Sequence, residues 1–264
     1  SDVVIGLGGG ATTDLAGFVA ATWLRGVRFV NIPTTVLGAV DAAVGGKTGI
    51  NSPYGKNLIG AFHSPAAVLI DLDWIETLSE RDIAAGMAEV VKCGFIADPK
   101  ILDHLAHKSL KDVCNDRELQ IELIHRAVSV KANVVGQDFK ESFLREILNY
   151  GHTLGHAIEK HSNYQLRHGE AVSIGMCFAA ELAKIKVNLS EQIVEQHYAV
   201  LKALKLPTKY QASAWPELLS AMSLDKKTKS GTLRFVAIDD VGKCVRIESP
   251  TSDELAIAYE RIAE

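Results

Sequence analysis

Up to residue 72 the apolar positions fall in short runs separated by glycine-rich loops, and beyond it they recur at helical spacing over long stretches. Val3–Ile5 reads as a buried strand. Thr12–Leu24 reads as a helix with Leu15, Phe18, Val19 and Trp23 on one face, Arg28–Ile32 as a second strand closed by Pro33, and Ala67–Leu72 as a third. Strand–helix–strand order predicts a parallel sheet with helices against its faces. Later helices are predicted over Glu80–Ala97, Arg117–Asp138, Phe143–His161, Gly169–Lys186 and Ser190–Leu204. A hairpin of Leu233–Ile238 and Val245–Glu248, turning at Asp239-Asp240-Val241-Gly242, precedes a last helix with Ser252 as its N-cap. The pattern divides the chain into an α/β part over 1–72 and a mainly helical part over 73–264.

Composition narrows this picture only at its edges. The 264 residues are 47% hydrophobic and 23% charged, an ordinary globular balance. A formal net charge of −4 offers no general attraction for nucleic acid or anionic membrane. No apolar run approaches the roughly 18 residues that span a bilayer. Cys93, Cys114, Cys177 and Cys244 are scattered without a Cys-x-x-Cys pair, which reads as reduced thiols in a cytoplasmic, reducing compartment.

Candidate chemistry begins at Gly6-Leu7-Gly8-Gly9-Gly10-Ala11, which follows a strand and opens a helix. Glycines there let backbone approach a pyrophosphate, and the helix N-terminus offers unpaired N–H donors and partial positive charge. The acidic ribose-binding residue of an ordinary dinucleotide site is missing, because the second strand ends at Asn31. A second loop, Asp41-Ala-Ala-Val-Gly-Gly-Lys47-Thr-Gly-Ile-Asn51 with Gly55-Lys56-Asn57, places an ammonium among exposed amides, a combination that suits phosphate. It is not a Walker A loop, since residue 41 is Asp rather than Gly. Arg25 and Arg28 add positive charge.

The richest segment runs from Asn149 to Glu170 and holds His152, His156 and His168. His152 and His156 stand four apart on one helix face, the spacing at which two imidazoles reach one ion. His168 is a possible third ligand, and a carboxylate from elsewhere an alternative, with Glu89 the best candidate because it sits in an apolar helical pattern with Lys92 one turn away. The motif is not His-Glu-x-x-His, which disfavours a metalloprotease. His104, His107, His125, His161 and His197 read as structural side chains.

Taken together these segments resemble 3-dehydroquinate synthase, of the sugar-phosphate cyclase superfamily. The matching stretches are Gly8-Gly-Gly-Ala-Thr-Thr-Asp14, Pro33-Thr-Thr, Gly45-Gly-Lys-Thr-Gly-Ile-Asn, Gly55-Lys-Asn-Leu-Ile-Gly-Ala-Phe, Gly86-Met-Ala-Glu-Val-Val-Lys, Asn149-Tyr-Gly-His-Thr-Leu-Gly-His-Ala and His168-Gly-Glu-Ala-Val. They occur in order across nearly the whole chain. The resemblance implies a Rossmann-like α/β nucleotide-binding domain, here truncated, a C-terminal helical domain, an active site between them, and a homodimer. It implies conversion of 3-deoxy-D-arabino-heptulosonate 7-phosphate to 3-dehydroquinate and phosphate, a lyase reaction of the shikimate pathway, with NAD and zinc or cobalt. The implied steps are transient oxidation, phosphate elimination, re-reduction and an intramolecular aldol closure.

By the same resemblance Glu89, His152 and His168 ligate the metal, and His156 becomes a proton-handling residue. Lys47, Asn57, Asn149 and Lys226 hold the phosphate, with Arg25 donated by a neighbouring subunit. Lys131 and Arg145 hold the carboxylate, while Asp41 and Lys92 contact hydroxyls near the reacting carbons. Gly9, Gly10, Ala11, Asp14, Thr34, Thr35 and Lys56 line NAD. Family members carry a further segment before the glycine loop, so this chain alone is expected to bind NAD poorly and to be weakly active or inactive. The alternatives are a related cyclase acting on a heptulose phosphate without a carboxylate, which would have no use for Lys131 and Arg145, and a metal-dependent polyol dehydrogenase of the glycerol dehydrogenase type.

Overall fold

The computed structural model describes residues 2–52, 55–141, 144–229 and 233–264, with the side chains of 55, 56 and 224–229 outside the description. Strand β1 (Val3–Gly8) leads through the Gly9 N-cap into helix α1 (Gly10–Thr22), and β2 (Arg28–Pro33) returns parallel to β1, with Val3 opposite Arg28 and Gly8 opposite Pro33. Strand β5 (Ala67–Val68) adds to β2, giving a parallel sheet of order β1-β2-β5. The third strand is thus shorter than Ala67–Leu72, because a 3-10 turn takes the chain over from Leu72 to Thr77.

The inward face of α1 also differs from the expected one. Thr13, Ala16, Gly17 and Ala20 are buried, whereas Leu15, Val19 and Trp23 are 48%, 42% and 61% exposed. Small residues win the inner position because the helix lies very close to its neighbours: a Cβ on Gly17 would stand 2.3 Å from Thr48 Cγ2. Thr48 belongs to an antiparallel hairpin, β3 (Lys47–Ser52) with β4 (Gly55–Phe62), where the sequence suggested only a loop. Its glycine-rich, polar composition lacks the alternation that announces a strand.

The helical part is built around α2 (Glu80–Ile96) and α7 (His168–Val187). Ser79 caps α2, accepting from the Asp82 N–H. Every residue from Ile83 to Ile96 and from Gly169 to Ala183 is buried, so both helices are enclosed on all sides. Around them stand α3 (Lys100–Leu105), α4 (Leu110–Asn115), α5 (Arg117–Gln137), α6 (His152–His161), α8 (Glu191–Ala203) and α9 (Trp215–Lys229). The hairpin β6 (Arg234–Asp240) with β7 (Lys243–Glu248) and helix α10 (Ser252–Ile262) complete the chain. Thr251, not Ser252, caps α10, in a capping box with Glu254.

The expected single helix over 143–161 is broken. Residue 143 lies outside the described residues; Leu144–Asn149 is a 3-10 turn, and Gly151 takes a left-handed φ of 77° before α6 starts at His152. That break aims His152 inward. Helices α2 and α7 approach so closely that a Cβ on Gly169 would lie 1.8 Å from the Ala85 carbonyl oxygen. Among the described residues no helix is long and apolar enough to cross a membrane.

Candidate metal centre and substrate cleft

Three elements converge on one carboxylate. Glu89 of α2 is 1% exposed; its Oε2 pairs with Lys92, and its Oε1 is buried without a hydrogen-bond partner. His152 Nε2 lies 3.5 Å and His168 Nε2 3.4 Å from that Oε1. Tetrahedral donors about 2.1 Å from an ion stand roughly 3.4 Å from one another, so both nitrogens stand at a fellow ligand's distance from this oxygen.

Each imidazole is fixed through its other nitrogen. His152 Nδ1–H donates to the Tyr150 carbonyl (3.0 Å), and His168 Nδ1–H donates to Glu159 Oε2 (3.0 Å). Both Nε2 atoms are left facing Glu89, the orientation a metal ligand requires. Tyr150 is itself locked: its hydroxyl donates to His197 Nε2 (2.8 Å), and the His197 ring stacks on Phe95. His197 is therefore a fully partnered core histidine, with burial lowering its pKa to about 4.

The electrostatics prepare the site for a cation. Burial opposes charge on Glu89, but Lys92 and the two histidines hold its carboxyl well below the usual range. Burial and then Lys92 bring His152 down to about 3, leaving it neutral. His168 goes the other way: burial disfavours its charge, yet the bond to Glu159 and the contact with Glu89 raise it to about 10. A cation entering here displaces the His168 proton. His156 is exposed, its ring 5.2 Å from that of His152 and 5.9 Å from that of His168, so it borders the cluster at the solvent side. A second triplet, His156, Glu159 and His168, has comparable spacing. Glu159 is already engaged by His168 Nδ1, and the orphaned oxygen belongs to Glu89, which favours the first set.

A group of cations lies next to this centre. The Gly45–Gly46 turn, with φ of 129° and 64°, brings backbone against two of them: a Cβ on Gly45 would meet Arg145 Nη2 at 2.8 Å and Lys131 Cε at 3.3 Å. Lys131 Nζ pairs with the Asp41 carboxylate and backbone oxygen; with burial opposing, this holds Asp41 at about 2. Arg145 is 3% exposed and donates to the Phe139 carbonyl (2.6 Å). Lys92 feels both Glu89 and Asp41, so Asp41 links the cation group to the metal centre. Lys47 and Asn149 both contact Glu141, the latter through Nδ2 to Oε1 at 2.8 Å.

On the α/β side Gly9 caps α1, Thr34 N–H donates to the Gly8 carbonyl, and Thr35 Oγ1 accepts from Gly38 N–H (3.0 Å). Gly9 faces Thr35, and Gly10 faces Ala42. Burial, then Asp41, raises Asp14 to about 7. Ala11, Asp14, Leu15, Gly49, Ile50, Asn51 and Asn57 line a cavity of about 210 Å³. Asn57 lies with its Cα 3.7 Å from the place of a Gly49 Cβ, on the face that Lys47 shares by the two-residue strand repeat. Arg25 stands in the 3-10 turn after α1, at a φ of 68°. The side chains of Lys56 and Lys226 lie outside the described residues.

Sequence reasoning missed three contributors. Glu159 had a signal: it follows His156 by three positions on the same helix and is 4% exposed. Tyr150 acts through its carbonyl, which leaves no trace in residue type. Glu141 gave none either.

The family description "3-dehydroquinate synthase N-terminal" matches residues 1–85, and "3-dehydroquinate synthase C-terminal" matches 86–228. The chain is 56% identical over 263 residues to a 3-dehydroquinate synthase of Nocardia farcinica, covering 100% of this chain and 70% of the relative. It is 58% identical over 262 residues to that of Mycolicibacterium vanbaalenii, covering 99% and 73%. Among solved structures, 2-epi-5-epi-valiolone synthase from Streptomyces hygroscopicus with NAD+ and Zn2+ bound superimposes with a TM-score of 0.90 at 27% identity, over 98% of this chain and 72% of that one. A 2-deoxy-scyllo-inosose synthase complexed with carbaglucose-6-phosphate, NAD+ and Co2+ gives 0.85 at 28%, over 97% and 72%. A probable glycerol dehydrogenase from Sinorhizobium meliloti, at 0.69 and 17% over 99% and 76%, shares the fold alone. With both family halves matched in order and whole-chain identity above one half, the chain belongs to the 3-dehydroquinate synthase family.

Proposed function

We propose that this cleft binds 3-deoxy-D-arabino-heptulosonate 7-phosphate for conversion to 3-dehydroquinate and phosphate. The observation that carries the reading is the adjacency of an orphaned, metal-spaced carboxylate oxygen and a buried cation group, joined through Lys92 and Asp41. Glu89, His152 and His168 hold the divalent metal, zinc or cobalt, as suits their oxygen and imidazole donors. When bound, the metal acidifies a substrate hydroxyl, and NAD takes up and returns a hydride.

The protein's own groups orient and neutralise. Lys131 and Arg145, buried and close together, take the carboxylate, and this pair favours a sugar acid over a heptulose phosphate lacking that group. Lys47 and Asn149 take the phosphate, with Asn57 on the Lys47 face and Lys226 and a partner-donated Arg25 completing it. Lys92 and Asp41 meet the ring hydroxyls. His156, at the solvent side of the ligand imidazoles, passes protons between the cleft and water. Gly9, Gly10, Ala11, Asp14, Thr34, Thr35 and Lys56 line NAD. The working unit is a homodimer, and the nucleotide and metal halves divide at the Leu72–Thr77 turn.

Phosphate release from the heptulosonate phosphate, measured with and without NAD and against sedoheptulose 7-phosphate, tests the reading. Release that needs NAD and the carboxylate-bearing substrate is the expected result. Equal turnover of both sugars overturns the carboxylate assignment, and net NADH accumulation with a simple polyol overturns the class.

A further inference from the structure

Glu141 is the anion that meets both Lys47 and Asn149. It follows α5, and its own backbone N–H donates to the Asp138 carbonyl (3.5 Å), while the described residues beside it are anchored further. Asp138 Oδ2 accepts from the Arg145 backbone N–H (3.0 Å), the Phe139 carbonyl accepts from Arg145 Nη1 (2.6 Å), and the Phe139 ring packs on Phe62. Glu141 itself has a φ of 60°, a left-handed conformation that a side chain with a Cβ adopts at a cost. Its carboxylate is about one quarter exposed and lies between an ammonium and an amide NH2.

We propose that Glu141 is an internal stand-in for the substrate's phosphate: it occupies the anion position between Lys47 and Asn149, leaves when a phosphate ester arrives, and returns to expel inorganic phosphate. This rests on the assignment of Lys47 and Asn149 to the phosphate. A phosphate brings more negative charge and more acceptor oxygens than one carboxylate, so it wins the exchange while bound through the rest of the substrate. Free inorganic phosphate, lacking those other contacts, competes with the returning carboxylate on much less favourable terms. Release of the strained backbone accompanies each displacement, and the anchors at Asp138, Phe139 and Arg145 stay in place.

The test is calorimetric titration of the metal-loaded protein with inorganic phosphate, using the unaltered chain, Glu141→Gln, Glu141→Ala and Lys47→Ala. Removing the competing charge should tighten phosphate binding about tenfold, the exchange of one charge-assisted hydrogen bond, and deepen product inhibition in the same proportion. Unchanged or weaker binding in both Glu141 variants overturns the proposal, because it makes Glu141 a support for the site rather than its occupant. Lys47→Ala separates the two ideas. If it leaves phosphate binding intact, the phosphate assignment itself fails; if it abolishes binding while the Glu141 variants do not tighten it, only the stand-in fails. On the unaltered chain, the Glu141 side-chain carboxyl 13C resonance should shift as phosphate saturates, and a stationary resonance at saturation also overturns the displacement.

Discussion

The two halves of the chain present their apolar residues in opposite ways. Around α7 the large side chains Val172, Ile174, Met176 and Phe178 are all fully buried. Around β1 and α1 they face outward: Ile5 is 63% exposed, Leu7 50% and Trp23 61%. The candidate metal centre lies in the first environment, with Glu89, His152 and His168 each held by a second contact, whereas the glycine loop lies in the second. A preformed ligand set needs side chains fixed by their surroundings, and the helical half supplies that while leaving His168 partly open to the cleft. The α/β half shows its glycine loop formed beside an exposed apolar surface, and the matched region covers 70% and 73% of two relatives.

The sharpest way to break this contrast is Glu89→Gln. It removes the charge from the buried donor and strands Lys92, so metal affinity and phosphate release should fall at least about a thousandfold. Elemental analysis showing one retained metal per chain would contradict the ligand set. Next is Ile174→Ala, which should cost about 3 kcal/mol in denaturant unfolding as a core cavity, whereas Ile5→Lys should stay within about 0.5 kcal/mol. Equal losses would mean that the exposed sheet face is covered in solution.

Glu159→Gln tests orientation. It keeps the volume beside His168 but removes the acceptor charge, and should weaken metal binding by roughly 10- to 100-fold while leaving the fold intact. The smallest effect per step is the dependence on pH, a factor of about ten for each unit. His168 holds a proton up to about 10 without metal, while His152 and Glu89 hold none near neutrality. One proton therefore leaves on binding, and the apparent affinity should rise about tenfold per pH unit between pH 6 and 9. Calorimetry in buffers of different ionisation enthalpy reads that proton directly; a pH-independent affinity would exclude it.

The same contrast decides what was legible in the sequence. Helices α2, α5, α7 and α8 follow from periodicity to within a residue or two, because their apolar positions report real burial. Helix α1 misled because its largest apolar residues point away from its packed face, which is chosen by the closeness of Thr48 and Phe29 rather than by hydrophobicity. The β3–β4 hairpin was hidden by glycine and polar residues. Gly151 carried the signal for the break before α6, but only its left-handed φ shows why the histidine segment is not one helix. The metal triplet was reachable as candidates, yet choosing Glu89 over Glu159 by geometry needed the hydrogen bond at His168 Nδ1 and the orphaned oxygen.

Gly169 turns the spacing of two helices into a matter of metrology. The missing methyl would stand 1.8 Å from the Ala85 carbonyl oxygen, when an ordinary contact needs more than 3 Å. Making room would shift α7 against α2 by over an ångström, and His168, one residue earlier, would travel with it. Metal–ligand distances tolerate deviations of only about 0.2 Å. The position of His168 relative to Glu89 is thus set by a side chain that is not there.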